Sequence, residues 1–126
     1  MAIFEEITQI LSELLDVDAR GIESHTYLVR DLGVESIDFL ELAVAINARF
    51  RVDVHDDTIF LRNLRLHLNE AAELGTGAPE HLKQVYPHLS LQRIETLLSD
   101  LEGGPVLQTR DLERYVRWQM SRTKAA

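Results

Sequence analysis

Apolar side chains recur at spacings of three and four residues through most of this chain, and nowhere do they alternate long enough to line a strand. That periodicity restricts the fold to packed amphipathic helices, an all-α class. Ile3, Phe4, Ile7, Ile10, Leu11, Leu14 and Leu15 make one stripe, with Glu5, Glu6, Gln9, Ser12 and Glu13 between them, so a helix is expected over about residues 3–15. Residues 16–35 keep no period and contain Gly21 and Gly33, which reads as a long loop anchored by Tyr27, Leu28, Val29 and Leu32. A second helix is expected from Ser36 to about Phe50, with Val52 and Val54 leaving it in extended backbone. Ile59, Phe60, Leu61, Leu64, Leu68, Ala71, Ala72 and Leu74 predict a helix ending at Gly75, and a short helix then runs to about Tyr86, where Pro87 breaks it. Ser90 caps another helix bearing Leu91, Ile94, Leu97, Leu98 and Leu101, which Gly103-Gly104-Pro105 ends. The last helix, from about Thr109 to Ser121, turns Leu112, Tyr115, Val116 and Met120 inward and several arginines outward.

With 126 residues, 45% of them apolar, the chain supports one small domain over residues 1–126. No apolar run approaches the ~20 residues that span a bilayer, and the start Met1-Ala2-Ile3-Phe4-Glu5-Glu6 lacks a signal peptide's basic and apolar regions, so a cytoplasmic protein is expected. The absence of cysteine excludes disulfides, thiolate catalysis and thiolate metal sites together. Charge is unevenly spread: residues 1–57 carry thirteen Asp/Glu against four Arg, net −9, whereas residues 58–126 carry eight against nine Lys/Arg, net +1. An acidic field of this kind disfavours nucleic acid and attracts basic protein patches, and it also serves simply as a solubilising surface.

The densest information lies in Asp31-Leu32-Gly33-Val34-Glu35-Ser36-Ile37-Asp38-Phe39-Leu40-Glu41-Leu42, which presents the Ser36 hydroxyl at or near a helix N-cap. Gly33-Val34-Glu35-Ser36-Ile37-Asp38 is not a Gly-x-Ser-x-Gly elbow, and no neighbouring histidine could take the serine proton, so hydrolase chemistry is not expected. On its own residues Ser36 reads as a capping hydroxyl, worth about 1 kcal/mol, with exposure at the helix start leaving a role as an attachment point open. Glu35, Asp38 and Glu41 share this stretch with Ile37, Leu40 and Val44, the mixture of charge and apolar anchors that a transient docking face needs. Leu42, Ala45 and Ile46 read as core, and Phe39 fits either role.

No metal site is expected. Asp16-x-Asp18-x-x-Gly21 has Arg20 and Tyr27 where a calcium loop needs oxygen ligands, and His25, His55, His67, His81 and His88 are scattered without zinc spacing, most of them reading as surface or cap residues. Arg110, Arg114, Arg117 and Arg122, interspersed with Asp111 and Glu113, read as a solvated helix face rather than a phosphate-binding stripe.

The core Gly33-Val34-Glu35-Ser36-Ile37 resembles the prosthetic-group attachment motif of acyl carrier proteins, with Glu35 in place of the usual aspartate and Ile37 in place of the usual leucine. Arg110-Asp111-Leu112-Glu113-Arg114-Tyr115-Val116 is similar to the family's closing helix, although Gln108 stands where a threonine cap is common, and Arg49 falls where carriers are often acidic. The resemblance covers residues 1 to about 57 and again about 105–120, and it implies an acyl-carrier-like helical bundle with two or three additional helices. Residues 58–104 are then an insert that the common form lacks. It implies 4'-phosphopantetheine carried covalently on Ser36, acyl groups held as a thioester on that arm, and no bond chemistry by the protein itself. The implied partners are a phosphopantetheinyl transferase and acyl-loading and acyl-transfer enzymes with basic docking patches, from fatty-acid, lipid or secondary-metabolite biosynthesis. Glu35, Ile37, Asp38, Glu41 and Val44 are the implied contact residues, and Phe4, Ile7, Leu11, Leu42 and Ile46 are candidate lining for a cavity. A monomer is expected. The leucine-rich insert either enlarges the acyl pocket, presents an enzyme-specific surface, or only packs. A peptidyl carrier loading aminoacyl groups and an unmodified helical interaction module are the alternatives.

Overall fold

The protein is described by a computed structural model covering residues 2–125, with side chains described for residues 2–122. Seven α-helices make up this part of the chain: α1 (Ile3–Leu15), α2 (Ser36–Phe50), α3 (Asp56–Ile59), α4 (Leu64–Leu74), α5 (Ala78–Val85), α6 (Leu91–Ser99) and α7 (Thr109–Ala125). The expected all-α bundle is therefore present, with α4, α5 and α6 as the three additional helices. The only strand-like pairing among the described residues is an isolated antiparallel bridge between Tyr27 and Gln108.

Helix α1 buries Ile3, Ile7, Ile10 and Leu11 and packs against both α2 and α7. Helix α2 contributes Leu42, Ile46 and Phe50 from a single stripe, and α7 contributes Leu112, Tyr115 and Val116. Each full burial of such a side chain removes water from apolar surface worth about 1.5–3 kcal/mol. The same contiguous apolar cluster continues into Leu82, Tyr86, Leu89, Ile94 and Leu97 of the additional helices.

The sequence periodicity predicts one helix from Ile59 to Leu74, and here the structure differs. Ile59, Phe60 and Leu61 are all buried, yet three consecutive helical residues sweep about 200° around a helix and cannot share one inward face. The chain resolves this by ending α3 and turning through Phe60–Asn63, with Leu61 in the left-handed region at φ +55°. That conformation costs roughly 1–2 kcal/mol for a residue bearing a Cβ, an amount that burying the Leu61 side chain offsets.

Two polar contacts join the additional helices to the rest. Arg93 on α6 donates from Nε and Nη2 to the two carboxylate oxygens of Asp111 on α7, each at 2.8 Å, and Nη2 also reaches the Val106 carbonyl at 2.9 Å. Both side chains are buried. Asp111 accepts in addition from the Gln108 backbone N–H at 2.9 Å, closing the first turn of α7. Arg30, from the long loop, pairs with Asp100 just beyond α6 at 3.0 Å and donates to the Asp100 and Gly104 carbonyls. The Tyr27 hydroxyl also donates to Asp100, and these two donors hold the Asp100 carboxyl below the usual carboxylate range.

The expectation that most of the histidines lie at the surface or in caps holds for His25 and His55, which are exposed, and fails for the other three. His67 and His81 are half-buried, and His88 is buried against Tyr86, Tyr115 and Trp118. Neither His88 ring nitrogen meets a protein hydrogen-bond partner, and desolvation pushes its pKa from 6.5 down to about 4.

Two consequences are measurable. Arg93→Met leaves Asp111 as an uncompensated buried charge and is expected to cost about 3–5 kcal/mol in urea unfolding, part of which returns when Asp111→Asn removes that charge. Because the unfolded His88 takes up a proton that the folded one refuses, stability is whole above pH 6.5 and falls as pH drops toward about 4. His88→Phe should flatten that interval of the stability–pH curve, by at most about 3 kcal/mol, in paired unfolding titrations.

Candidate functional site

The site begins in the loop before α2. Leu28 is buried, its N–H donates to the Leu107 carbonyl at 3.1 Å, and its carbonyl accepts the Val34 N–H at 3.0 Å. Between these anchors the chain closes a tight turn in which the Tyr27 N–H donates to the Asp31 carboxylate and the Gly33 N–H to the Val29 carbonyl. Gly33 sits at φ +68°, a conformation that side chains bearing a Cβ resist. Val34 is buried, an anchor absent from the sequence-level set, so the two residues that follow it emerge at the surface.

Ser36 is the first residue of α2 and is exposed, with Glu35 rather than Ser36 at the cap position. The Asp38 carboxylate folds back to accept the Glu35 N–H at 2.8 Å, so the cap is closed by an acidic side chain and not by the Ser36 hydroxyl. This arrangement fits a phosphodiester. The hydroxyl is accessible, and the amino end of a fifteen-residue helix supplies the positive end of a macrodipole beside it.

Downstream of Ser36, α2 shows two apolar stripes of opposite fate. Leu42 and Ile46 lie in the core, whereas Ile37, Leu40 and Val44 are 61%, 57% and 70% exposed. Ile37, Leu40 and Val44 follow one another at three and four residues, so they form one ridge along the helix. Glu35 and Glu41 are exposed and Asp38 half-buried beside it. Ser36, Ile37, Glu41 and Val44 thus fall on the exposed side of α2, with Glu35 exposed just before it and Asp38 half-buried in its first turn. Exposed apolar side chains aligned in a row and rimmed by carboxylates form a surface suited to reversible protein contact.

The candidate cavity residues behave differently. Ile7, Leu11, Leu42 and Ile46 are fully buried members of the core, and Phe4 is half-buried. An open cleft of about 540 Å³ lies instead between α2 and the additional segment, lined by Val29 and Phe39 on one side, Phe60–Leu66 on another, and Leu101 with Gly104–Leu107 on the third. Phe39, one turn along α2 from Ser36, packs its ring against Phe60 with centroids 4.8 Å apart. Sequence reasoning missed this cleft because its walls come from three segments remote in sequence.

Comparison with known proteins follows the same segment. The family model described as a phosphopantetheine attachment site matches residues 5–65. The acyl carrier protein of Helicobacter pylori is 37% identical over 57 residues, covering 45% of this chain and 73% of that protein. The acyl carrier protein of Campylobacter concisus is 34% identical over 56 residues, covering 44% and 73%, and that of Wolinella succinogenes is 33% identical over 57 residues, covering 45% and 75%. No solved structure matches the chain.

Proposed function

Because this chain belongs to the acyl carrier protein family, whose members are phosphopantetheine-dependent carriers and not enzymes, we propose that Ser36 is its attachment point for 4'-phosphopantetheine and that the group it carries is an acyl chain. The observation that carries this reading is the exposure of the Ser36 hydroxyl at the first position of α2, directly after the buried Val34 and beside a ridge of exposed apolar residues. Bound there, the prosthetic group supplies a terminal thiol on which an acyl group rides as a thioester.

The chain's own residues do the presenting. As a phosphopantetheinyl transferase acts, the Ser36 oxygen forms the new bond to phosphorus, the pyrophosphate bond of coenzyme A breaks with release of adenosine 3',5'-bisphosphate, and the serine proton leaves to a base outside this chain. Ile37, Leu40 and Val44 give successive partners an apolar footing, while Glu35, Asp38 and Glu41 attract their basic patches and set the approach. Tethering then replaces free diffusion with a high effective concentration of substrate at each enzyme. The cleft lined by Phe39, Phe60 and Leu61 opens one turn along α2 from Ser36 and offers space in which an acyl chain can be shielded.

We further propose that residues 58–104 hold an insert within one carrier domain, of which residues 66–104 lie beyond the family match. Its position at the cleft supports a part in acyl shielding. Among the described residues no helix is long and apolar enough to cross a membrane.

Intact-mass measurement after incubation with coenzyme A and a broad-specificity phosphopantetheinyl transferase should record the gain of one phosphopantetheinyl group on the wild type and none on Ser36→Ala; an unchanged wild-type mass would sink the assignment. Glu41→Lys should slow transfer by a partner enzyme up to about fivefold, as expected when an exposed charge pair worth about 0.2–1 kcal/mol is lost, and the effect should shrink as salt is raised.

A further inference from the structure

Away from the carrier face, the hairpin of α4 and α5 brings three metal-ligating side chains to one point. His67 and Glu70 stand one turn apart on α4, and the turn through Gly75 and Gly77 folds α5 back so that His81 faces them. Glu70 Oε1 lies 2.8 Å from His67 Nδ1 and 3.2 Å from His81 Nε2, and the three donor atoms all fall within 4.8 Å of one another. Tetrahedral coordination with bonds of about 2.0–2.1 Å needs ligand atoms roughly 3.3 Å apart, so the site closes on an ion by side-chain rotation without moving either helix.

We propose that His67, Glu70 and His81 bind a divalent transition-metal ion of the zinc type and clip α4 to α5. Two imidazoles with one carboxylate select against calcium and magnesium, which prefer all-oxygen shells, and suit zinc. The imidazoles are sheltered, 18% and 13% exposed, while Glu70 is 43% exposed. Three ligands thus come from the protein, and the fourth position faces solvent, where water completes the shell. The His67 ring is held edge-on by Tyr86 at 5.7 Å between centroids, which restricts its rotation and preorganises Nδ1. Without the ion, Glu70 accepts hydrogen bonds from the two rings, an arrangement that lowers its own pKa. Binding therefore requires the neutral rings to carry their protons on the opposite nitrogens, Nε2 of His67 and Nδ1 of His81. The cluster is the only group of three potential ligands of this kind among the described residues, and it does not depend on the carrier assignment of Ser36.

The test uses the full chain without a polyhistidine tag, titrated with zinc against a competing chelator and separately with cobalt(II). Expected are one ion per chain, visible cobalt d–d bands with no thiolate charge-transfer band, since the chain has no cysteine, and a rise in Tm on adding zinc. His67→Gln and His81→Gln should each weaken zinc binding at least about a hundredfold, because losing even an outer partner of a ligand costs about 10–100-fold. Glu70→Gln, a more exposed change with unaltered helical circular dichroism, should also abolish the Tm rise. His25→Gln, at an exposed histidine, should leave binding as in the wild type. Failure of the wild type to take up one zinc ion saturably at micromolar concentration overturns the proposal, as does wild-type affinity in either the His67→Gln or the His81→Gln variant.

Discussion

The buried pair of Arg93 and Asp111 is the contact on which the arrangement of this molecule turns. Desolvating a guanidinium and a carboxylate costs several kcal/mol for each ion, and the two parallel hydrogen bonds, with the Val106 carbonyl and the Gln108 N–H as further partners, are what make the burial tolerable. An apolar pair of equal volume would satisfy the core as well and would say nothing about register. The bidentate geometry instead permits one seating of α6 against the start of α7, and that start is also where the long loop is pinned, through Leu28 to Leu107 and Thr109 to Thr26. The loop in turn sets where Val34 is buried and hence where Ser36 emerges. Arg30 and Asp100 repeat the tie on the other side of the loop, so the additional helices brace the segment that presents the candidate site.

Helix α2 shows how one element serves two masters. A helix of a small bundle normally has one apolar stripe, and a second stripe left in water invites aggregation. Here Ile37, Leu40 and Val44 stay exposed while Leu42 and Ile46 pack inward, and the carboxylates of Glu35, Asp38 and Glu41 stand beside the exposed ridge. Like charge on such a face opposes contact between two copies of it, and opposite charge favours a basic surface. Three of the thirteen carboxylates of residues 1–57 thus stand beside the exposed ridge.

Much of this was legible in the residues. Local periodicity gave α1 and α2 with their ends, and Gly75, Pro87 and Ser90 placed the end of α4, the end of α5 and the start of α6, because backbone preferences and capping act over a few residues; α6 itself stops at Ser99, short of the Gly103-Gly104-Pro105 break, and Leu101 lies in a separate 3-10 turn. Three features were not legible, each for a physical reason. The turn at Phe60–Asn63 hid inside an apolar run because burial of three successive residues is decided by tertiary packing, not by period. Asp111 read as part of a solvated helix face, yet it is buried, because its partner Arg93 lies eighteen residues away on another helix. His67 and Glu70 have a readable i,i+3 spacing, but His81 joins them only through the angle of the α4–α5 hairpin. The exposure of Ser36 was expected from its place at a helix start, though the cap itself falls to Glu35, with Asp38 closing it.

The chain enters the added helices directly after the Phe39–Phe60 contact, and this location bears on what the added segment can be. A segment serving only as a spacer would be accommodated most easily on the side away from Ser36, where it would disturb nothing. Instead the chain departs from α3 through Phe60 and Leu61, the residues that wall the cleft one turn from Ser36, and it returns through Gly104–Leu107 on the opposite wall. Both the exit and the re-entry of the segment therefore border the same open space. A shift of α4 or α6 relative to α7 would move two walls of the cleft at once, while the third, Phe39, stays fixed to the helix that bears Ser36. The width of the cleft is in this way set by the seating of the added helices, and that seating rests on the same Arg93–Asp111 and Arg30–Asp100 contacts that hold the loop in register.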